Sequence, residues 1–153
     1  MPGSQLQLRT ATQGDMELLF ALLREALGPY VEQTFGAWND EGERERFFAK
    51  TDPATHQVVE LEGQAIGCLC VRRSEEEIRI QRVFLFPRCQ KQGLGARLVR
   101  EILAEAEAAD LPVRLRVFKV NPARRFYERL GFDVVGEIEN HFLMEWVRRG
   151  PTS

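Results

Sequence analysis

An apolar strand pattern running from Ile78 to Phe86 stops at Pro87, and after Gln90-Lys91-Gln92-Gly93-Leu94-Gly95 the chain restarts as a helical run. This junction constrains the fold more than any other stretch. Gly93 and Gly95, one residue apart, let the backbone approach a ligand without interference from a Cβ atom. The unpaired N–H groups of the helix's first turn then form an anion site suited to a phosphate or pyrophosphate. A larger side chain at Gly93 is therefore expected to block the anion while leaving the fold largely intact.

With 153 residues the chain suits a single compact domain, 1–153, with one sizeable core. A formal net charge of −2 argues against nucleic-acid binding, which needs a concentrated basic surface. No apolar run approaches the length that spans a bilayer, and Met1-Pro2-Gly3-Ser4 opens no signal peptide. Cys68, Cys70 and Cys89 lack metal-ligand spacing, so no metal is expected, and their odd number reads as reduced thiols of a cytoplasmic protein.

Leu6 and Leu8 alternate as a short strand, and Thr12 with Asp15 marks a helix start. Leu18, Leu19, Leu22, Leu23 and Ala26 recur at helical spacing, with the end placed near Gly28-Pro29. Asn39 or Asp40 caps a second helix whose apolar side is Phe47-Phe48. Three extended stretches follow as an antiparallel meander: Thr55 to Leu61, Ala65 to Arg73 and Glu77 to Phe86. Leu94, Leu98, Ile102 and Ala106 stripe the helix after the glycines. Val113, Leu115 and Val117 form a strand, Asn121-Pro122 begins a short helix that Gly131 ends, and Val134-Val135 and Phe142 to Val147 close the chain as strands. The expected class is α/β, a mixed, mostly antiparallel sheet of about seven strands with helices on both faces.

This order of elements, with Pro87 to Gly95 in the middle and Asn121-Pro122-Ala123-Arg124-Arg125-Phe126-Tyr127-Glu128-Arg129-Leu130-Gly131-Phe132 later, resembles the GCN5-related N-acetyltransferase (GNAT) superfamily. The first segment is similar to its acyl-CoA pyrophosphate loop and the second to its Asn…Tyr…Gly-Phe block. The resemblance implies an acetyl-CoA-dependent N-acetyltransferase, a monomer or homodimer, whose acceptor is a primary amine on a small molecule, amino acid or peptide. It implies direct attack on the thioester in a ternary complex. A non-catalytic acyl-CoA-binding or sensing module is the alternative.

The resemblance carries the cofactor contacts onto Val83, Leu85, Gln90, Lys91, Gln92, Gly93, Leu94, Gly95, Ala96, Asn121, Arg124 and Tyr127. Pyrophosphate would lie over the N–H groups between Lys91 and Ala96, with Lys91 and Arg88 adding charge. The strand Ile78–Phe86 would carry a bulge and pair its main chain with the pantetheine arm. The Leu85 N–H would donate to the thioester oxygen, a contribution typical of about 3–4 kcal/mol. Tyr127 would stabilise the departing thiolate. With a phenol near 10 and a thiol near 8.5, outright proton transfer is uphill by roughly 2 kcal/mol. Asn121 is equally explained as a helix cap. Many relatives place a carboxylate base on the central strand; here that strand has Arg79, Gln81 and Arg82, leaving Glu77 at its edge as the base, with Glu60, Glu139 and His141 as further candidates. Gly28 to Asp52 and the Glu139–Phe142 connection would form the acceptor pocket, with Tyr30, Phe35 and Trp38 as walls.

Overall fold

The computed structural model describes residues 5–90 and 92–149. Lys91 and the two termini lie outside the described residues. The chain order is β1 (Leu6–Thr10), α1 (Met16–Phe35), α2 (Asp40–Lys50), β2 (Gln57–Leu61), β3 (Gln64–Arg73), β4 (Ile78–Leu85), α3 (Leu94–Ala109), β5 (Val113–Phe118), α4 (Ala123–Arg129), β6 (Asp133–Ile138) and β7 (His141–Trp146). The strands form one seven-stranded sheet in the order β1-β2-β3-β4-β5-β7-β6. β1 pairs antiparallel with β2, β2 with β3, β5 with β7 and β6 with β7, whereas β4 and β5 are parallel. This is the mixed, mostly antiparallel sheet that the alternation patterns predict.

Two compact units divide the chain: Met1–Cys70 with Arg82–Gln92, and Val71–Gln81 with Gly93–Ser153. In the first, Ala11, Met16, Leu19, Phe20, Leu22, Phe47, Val58, Cys68, Phe84 and Phe86 form one buried cluster. Phe20, Phe47 and Phe48 meet at tilted angles and Phe20 stacks on Trp38, so the aromatic rings from α1, α2 and their connection interlock. In the second unit, Leu98, Val99, Ile102, Leu103 and Ala106 bury one stripe of α3, and Val113, Leu115 and Val117 bury alternate positions of β5.

Local chemistry sets the helix starts. Thr12 and Asp15 form a reciprocal capping box around the short turn that opens α1. Arg9 of β1 donates to both Asp15 oxygens, which holds that carboxyl down at about 2. Asn39, not Asp40, caps α2: its side-chain oxygen accepts from the Gly42 N–H at 3.1 Å.

The first helix does not end near Gly28-Pro29. It continues through Pro29 to Phe35 and stops at Gly36, whose φ of 100° only glycine adopts readily. An interior proline costs about 3 kcal/mol. Packing from Trp38 supports the extension: its ring lies 3.9 Å from where a Gly28 Cβ would stand, and its N–H donates to the Glu32 carboxylate. Periodicity signals a proline break, but a contact formed beyond the helix overrides it.

Candidate functional site

The central strand and the loop after it are built by two unusual approaches. At Gly67 of β3, an added Cβ would lie 2.3 Å from the Phe84 carbonyl oxygen and 2.7 Å from Leu85 Cδ2. Only glycine lets β3 reach β4 that closely. Beside it the Phe86 N–H donates to the Ile66 carbonyl at 2.9 Å. Successive N–H groups of an extended strand point to opposite edges. In a regular strand the Leu85 N–H would then face the opposite edge, on which β5 lies. On that edge the recorded β4–β5 register comprises Ile78 with Val113 and Arg79 with Arg114, at the start of β4. Phe84, Leu85 and Phe86 are buried in succession, a departure from two-residue alternation that marks the same place as irregular. Val83 is half-buried. Gly67 was not singled out from the sequence, although a glycine inside an apolar strand pattern is the signal for a close backbone approach.

Gln90 turns its side chain back onto the strand, its amide donating to the Leu85 carbonyl at 3.1 Å. Gln92 does the same to the Arg88 carbonyl at 3.2 Å. Both amides brace the loop by these bonds. Gly93 then stands at the N-cap of α3 with φ 78° and ψ 1°, and no side chain caps the helix. The Arg97 N–H bonds the Gly93 carbonyl at 3.0 Å. The N–H groups of Leu94, Gly95 and Ala96 come before that first bond and so have no acceptor within the helix. No acidic residue occupies this turn. Leu94, Gly95 and Ala96 are half-buried and Gly93 is exposed, so the end is accessible. The positive end of a sixteen-residue helix is thus presented without an internal anion. An added Cβ at Gly93 meets nothing within 4 Å. Glycine is required there first for its left-handed backbone, so a β-branched residue strains the loop as well as covering the approach; the expectation of an undisturbed fold is corrected on this point. Arg88 lies over the Phe86 ring at 4.8 Å.

In the second unit Tyr127 is buried on α4, edge-on to Phe126 at 5.1 Å and to Phe132 at 5.4 Å between ring centroids. Burial alone pushes its phenol up to about 12. Among the described residues its hydroxyl has no hydrogen-bond partner. Asn121 acts as the cap: its side-chain oxygen accepts from the Ala123 N–H at 2.8 Å. Arg124 pairs with Glu128 at 3.2 Å and lies over Phe142 at 4.7 Å. Its charge is therefore already partnered on the helix surface.

Glu77 has a placement that counts against a role as base. Its carboxylate accepts from Arg79 Nε at 2.8 Å and Arg114 Nη1 at 3.0 Å, and Arg114 in turn reaches Glu145 at 2.9 Å. Hydrogen bonding from Arg79 leads the effects that hold this carboxyl below the usual range. A carboxylate so stabilised is a poor proton acceptor. It also precedes β4, whereas Leu85 is the last residue of that strand. Glu60 is likewise paired, with Arg9 at 2.9 Å. His141 stacks on Phe118 with centroids 4.2 Å apart, and burial first, then Arg116, lowers its pKa. Trp38 packs into the aromatic cluster and Tyr30 is half-buried, whereas Phe35 is 64% exposed.

A pair not anticipated from the sequence is His56 with Arg82. Arg82 Nη1 lies 3.0 Å from His56 Nε2, and the imidazole, 4% exposed, has its pKa lowered by burial first and then by the Arg82 charge. Below the ordinary imidazole value near 6.5 the unfolded chain takes up a proton that folded His56 resists. Stability contributed by neutral His56 is complete above that pH and declines as pH falls beneath it. The midpoint of thermal unfolding should therefore drop between pH 7 and pH 5, and more steeply than in His56→Gln, whose remaining slope reports His141 and the carboxylates. Equal slopes by calorimetry would refute this account. Among the described residues no group of His, Cys, Asp and Glu is arranged to hold a metal, and no helix is long and apolar enough to cross a membrane.

The model of the family described as Acetyltransferase (GNAT) family matches residues 20–132. The 5-NmdU N-acetyltransferase of Pseudomonas phage PaMx11 is 37% identical over 86 residues, and the match spans 52% of this chain and 58% of that relative's length. The PaiA N-acetyltransferase of Thermoplasma acidophilum, solved in complex with coenzyme A, superposes with a TM-score of 0.74 at 17% identity, covering 94% of this chain and 99% of the other. The N-acetylglutamate synthase of Neisseria gonorrhoeae, complexed with coenzyme A and N-acetyl-glutamate, gives a TM-score of 0.66 at 18% identity over 95% of this chain and 36% of the other.

Proposed function

The chain belongs to the acetyltransferase (GNAT) family, and from that premise we propose that it moves the acetyl group of acetyl-CoA to a primary amine by direct attack in a ternary complex, acting as one domain over 1–153. The observation that carries this reading is the uncapped, carboxylate-free first turn of α3 behind a left-handed Gly93. Backbone donors with no acceptor of their own suit the pyrophosphate of CoA. The same observation supports acetyl-CoA as cosubstrate. Cys68, Cys70 and Cys89 are buried thiols, which favours a reducing compartment such as the cytoplasm.

In this reading the thioester lies along the edge of β4 that faces away from β3. The Leu85 N–H donates to its oxygen as negative charge develops, and the Gln90 amide on the Leu85 carbonyl keeps that peptide oriented. The amine nitrogen attacks the carbonyl carbon, the C–S bond breaks, and the sulfur leaves with the electron pair. Tyr127, neutral at every physiological pH, stabilises the thiolate as a hydrogen-bond donor. The nitrogen's extra proton leaves through water, because Glu77 is committed to two guanidinium groups. An alkylamine near 10.4 is about one part in a thousand neutral at pH 7.4, so the unassisted reaction carries a handicap of roughly 4 kcal/mol. An acceptor of low pKa escapes that handicap.

The test compares two glycines with matched strain. Gly93 and Gly63 have φ of 78° and 83°, and an added Cβ meets nothing within 4 Å at either. Alanine at each should cost about 1 kcal/mol of stability. Only Gly93→Ala should weaken acetyl-CoA binding, by about 10-fold to 100-fold, as one charge-assisted contact is lost. Equal affinities for the two variants by titration calorimetry would reject the phosphate site. Acetyl-CoA binding without thiol release across an amine panel would instead favour a sensing module.

A further inference from the structure

Arg82 stands on β4 three residues before Leu85, and both belong to the first compact unit. Its side chain meets an imidazole and an aromatic ring. Nη1 lies 3.0 Å from His56 Nε2, and the guanidinium carbon is 5.2 Å from the centre of the Phe47 ring. A guanidinium donates and never accepts. His56 Nε2 must therefore offer a lone pair, and the ring's proton sits on Nδ1. That nitrogen is 3.0 Å from Thr55 Oγ1, and the Thr55 hydroxyl donates to the Asp52 carbonyl at 2.7 Å. A donor-only group at one end and a carbonyl at the other fix the direction of every bond in the row.

The consequence is a half-buried cation whose polar partner is neutral. Among the described residues no carboxylate lies within ion-pair distance of Arg82. The other strand arginines near it in exposure are neutralised: Arg79 by Glu77, and Arg114 by Glu77 and Glu145. The Asp52 carboxylate is turned to the Ala54 N–H. Cys68, which feels the Arg82 charge, is a buried thiol pushed up to about 12 and supplies no anion. An uncompensated charge taken partly out of water is unfavourable unless an anion arrives to meet it. Of the groups that flank Arg82, Phe47 lies within Gly28 to Asp52, the segment expected to wall the acceptor pocket, and the 53–56 turn follows it directly.

We propose that Arg82 binds a carboxylate on the acceptor, so that the substrate is a carboxylate-bearing amine, an amino acid or short peptide. This deepens the acetyltransferase reading and rests on it. Three residues of strand separate Arg82 from Leu85 by about 10 Å. A planar fork suits a carboxylate, accepting it through two parallel bonds. His56 holds the fork in place by occupying one N–H, leaving the others for the ligand.

Thiol release from acetyl-CoA should be followed with the common amino acids, their carboxamides, and O-phosphoethanolamine. For the best amino acid, kcat/KM should exceed that of its carboxamide by at least about 30-fold, and Arg82→Gln should bring the ratio near one by raising KM, a change of about 10-fold to 100-fold. Arg82→Lys should restore part of the preference, and acetyl-CoA affinity by calorimetry should be unchanged in both. The ratio is read within one preparation, so a loss of folded protein does not move it. Carboxamides or neutral amines serving as well as the acids in the unaltered protein would overturn the inference while leaving the acetyltransferase reading intact. So would selective use of O-phosphoethanolamine, or an Arg82→Gln ratio equal to that of the unaltered protein. No release with any amine despite acetyl-CoA binding would overturn both.

Discussion

Replacing Tyr127 by Phe should lower turnover about a hundredfold, the low end of the range for a positioned proton donor, with little change in acetyl-CoA affinity. The reasoning is one of chemistry without structural loss. The ring sits between Phe126 and Phe132, contacts that Phe keeps. The hydroxyl bonds no described residue, so its removal breaks nothing in the resting protein. Burial has raised the phenol to about 12, which makes it a weaker acid than the departing thiol and a donor that stays neutral. Tyr127 should then contribute no descending limb to the rate profile below pH 10. Turnover equal to that of the unaltered protein in steady-state assays would remove the role.

The second large effect is structural. Gly67→Ala should destabilise the protein by about 3 kcal/mol, the upper part of the overpacking range. A new Cβ would stand 2.3 Å from a backbone oxygen, Phe84, and 3.3 Å from the Leu85 Cα. Main chain cannot rotate aside as a side chain can, so β4 must move. The thermal midpoint should fall by roughly 10 °C for a chain of this size. Because the displaced peptide includes Leu85, the remaining folded enzyme should also lose kcat. Gly14→Ala, where a Cβ meets only the Thr12 hydroxyl at 3.6 Å, is the tolerated control. An unchanged midpoint in Gly67→Ala would show that the approach is not tight in solution.

The strands were legible because alternation has an exact period of two, and α3 because its apolar stripe is long and regular. Asn39, Thr12 with Asp15, and Asn121 announced their caps, since capping depends on residues only a few positions apart. For Gln90 no local pattern reveals that its amide braces the Leu85 carbonyl, because that bond forms only when the loop folds back on the strand. The end of α1 was misplaced because Trp38 acts on it from beyond the helix. Glu77 looked available as a base until Arg79 and Arg114 were seen on both of its oxygens.

By itself the amino-acid sequence determined the element order, the glycine loop before α3, and through them the family. Those are local patterns, written in spacing, left-handed glycines and caps. Tertiary structure alone decided which charges are cancelled and which are not. Arg79 and Arg82 are indistinguishable as neighbours on one strand; Arg79 meets a carboxylate and Arg82 a neutral imidazole contributed from residue 56. Coulombic and desolvation energies depend on separation in space, and only folding brings Arg114 onto the carboxylate beside Arg79 and His56 onto Arg82.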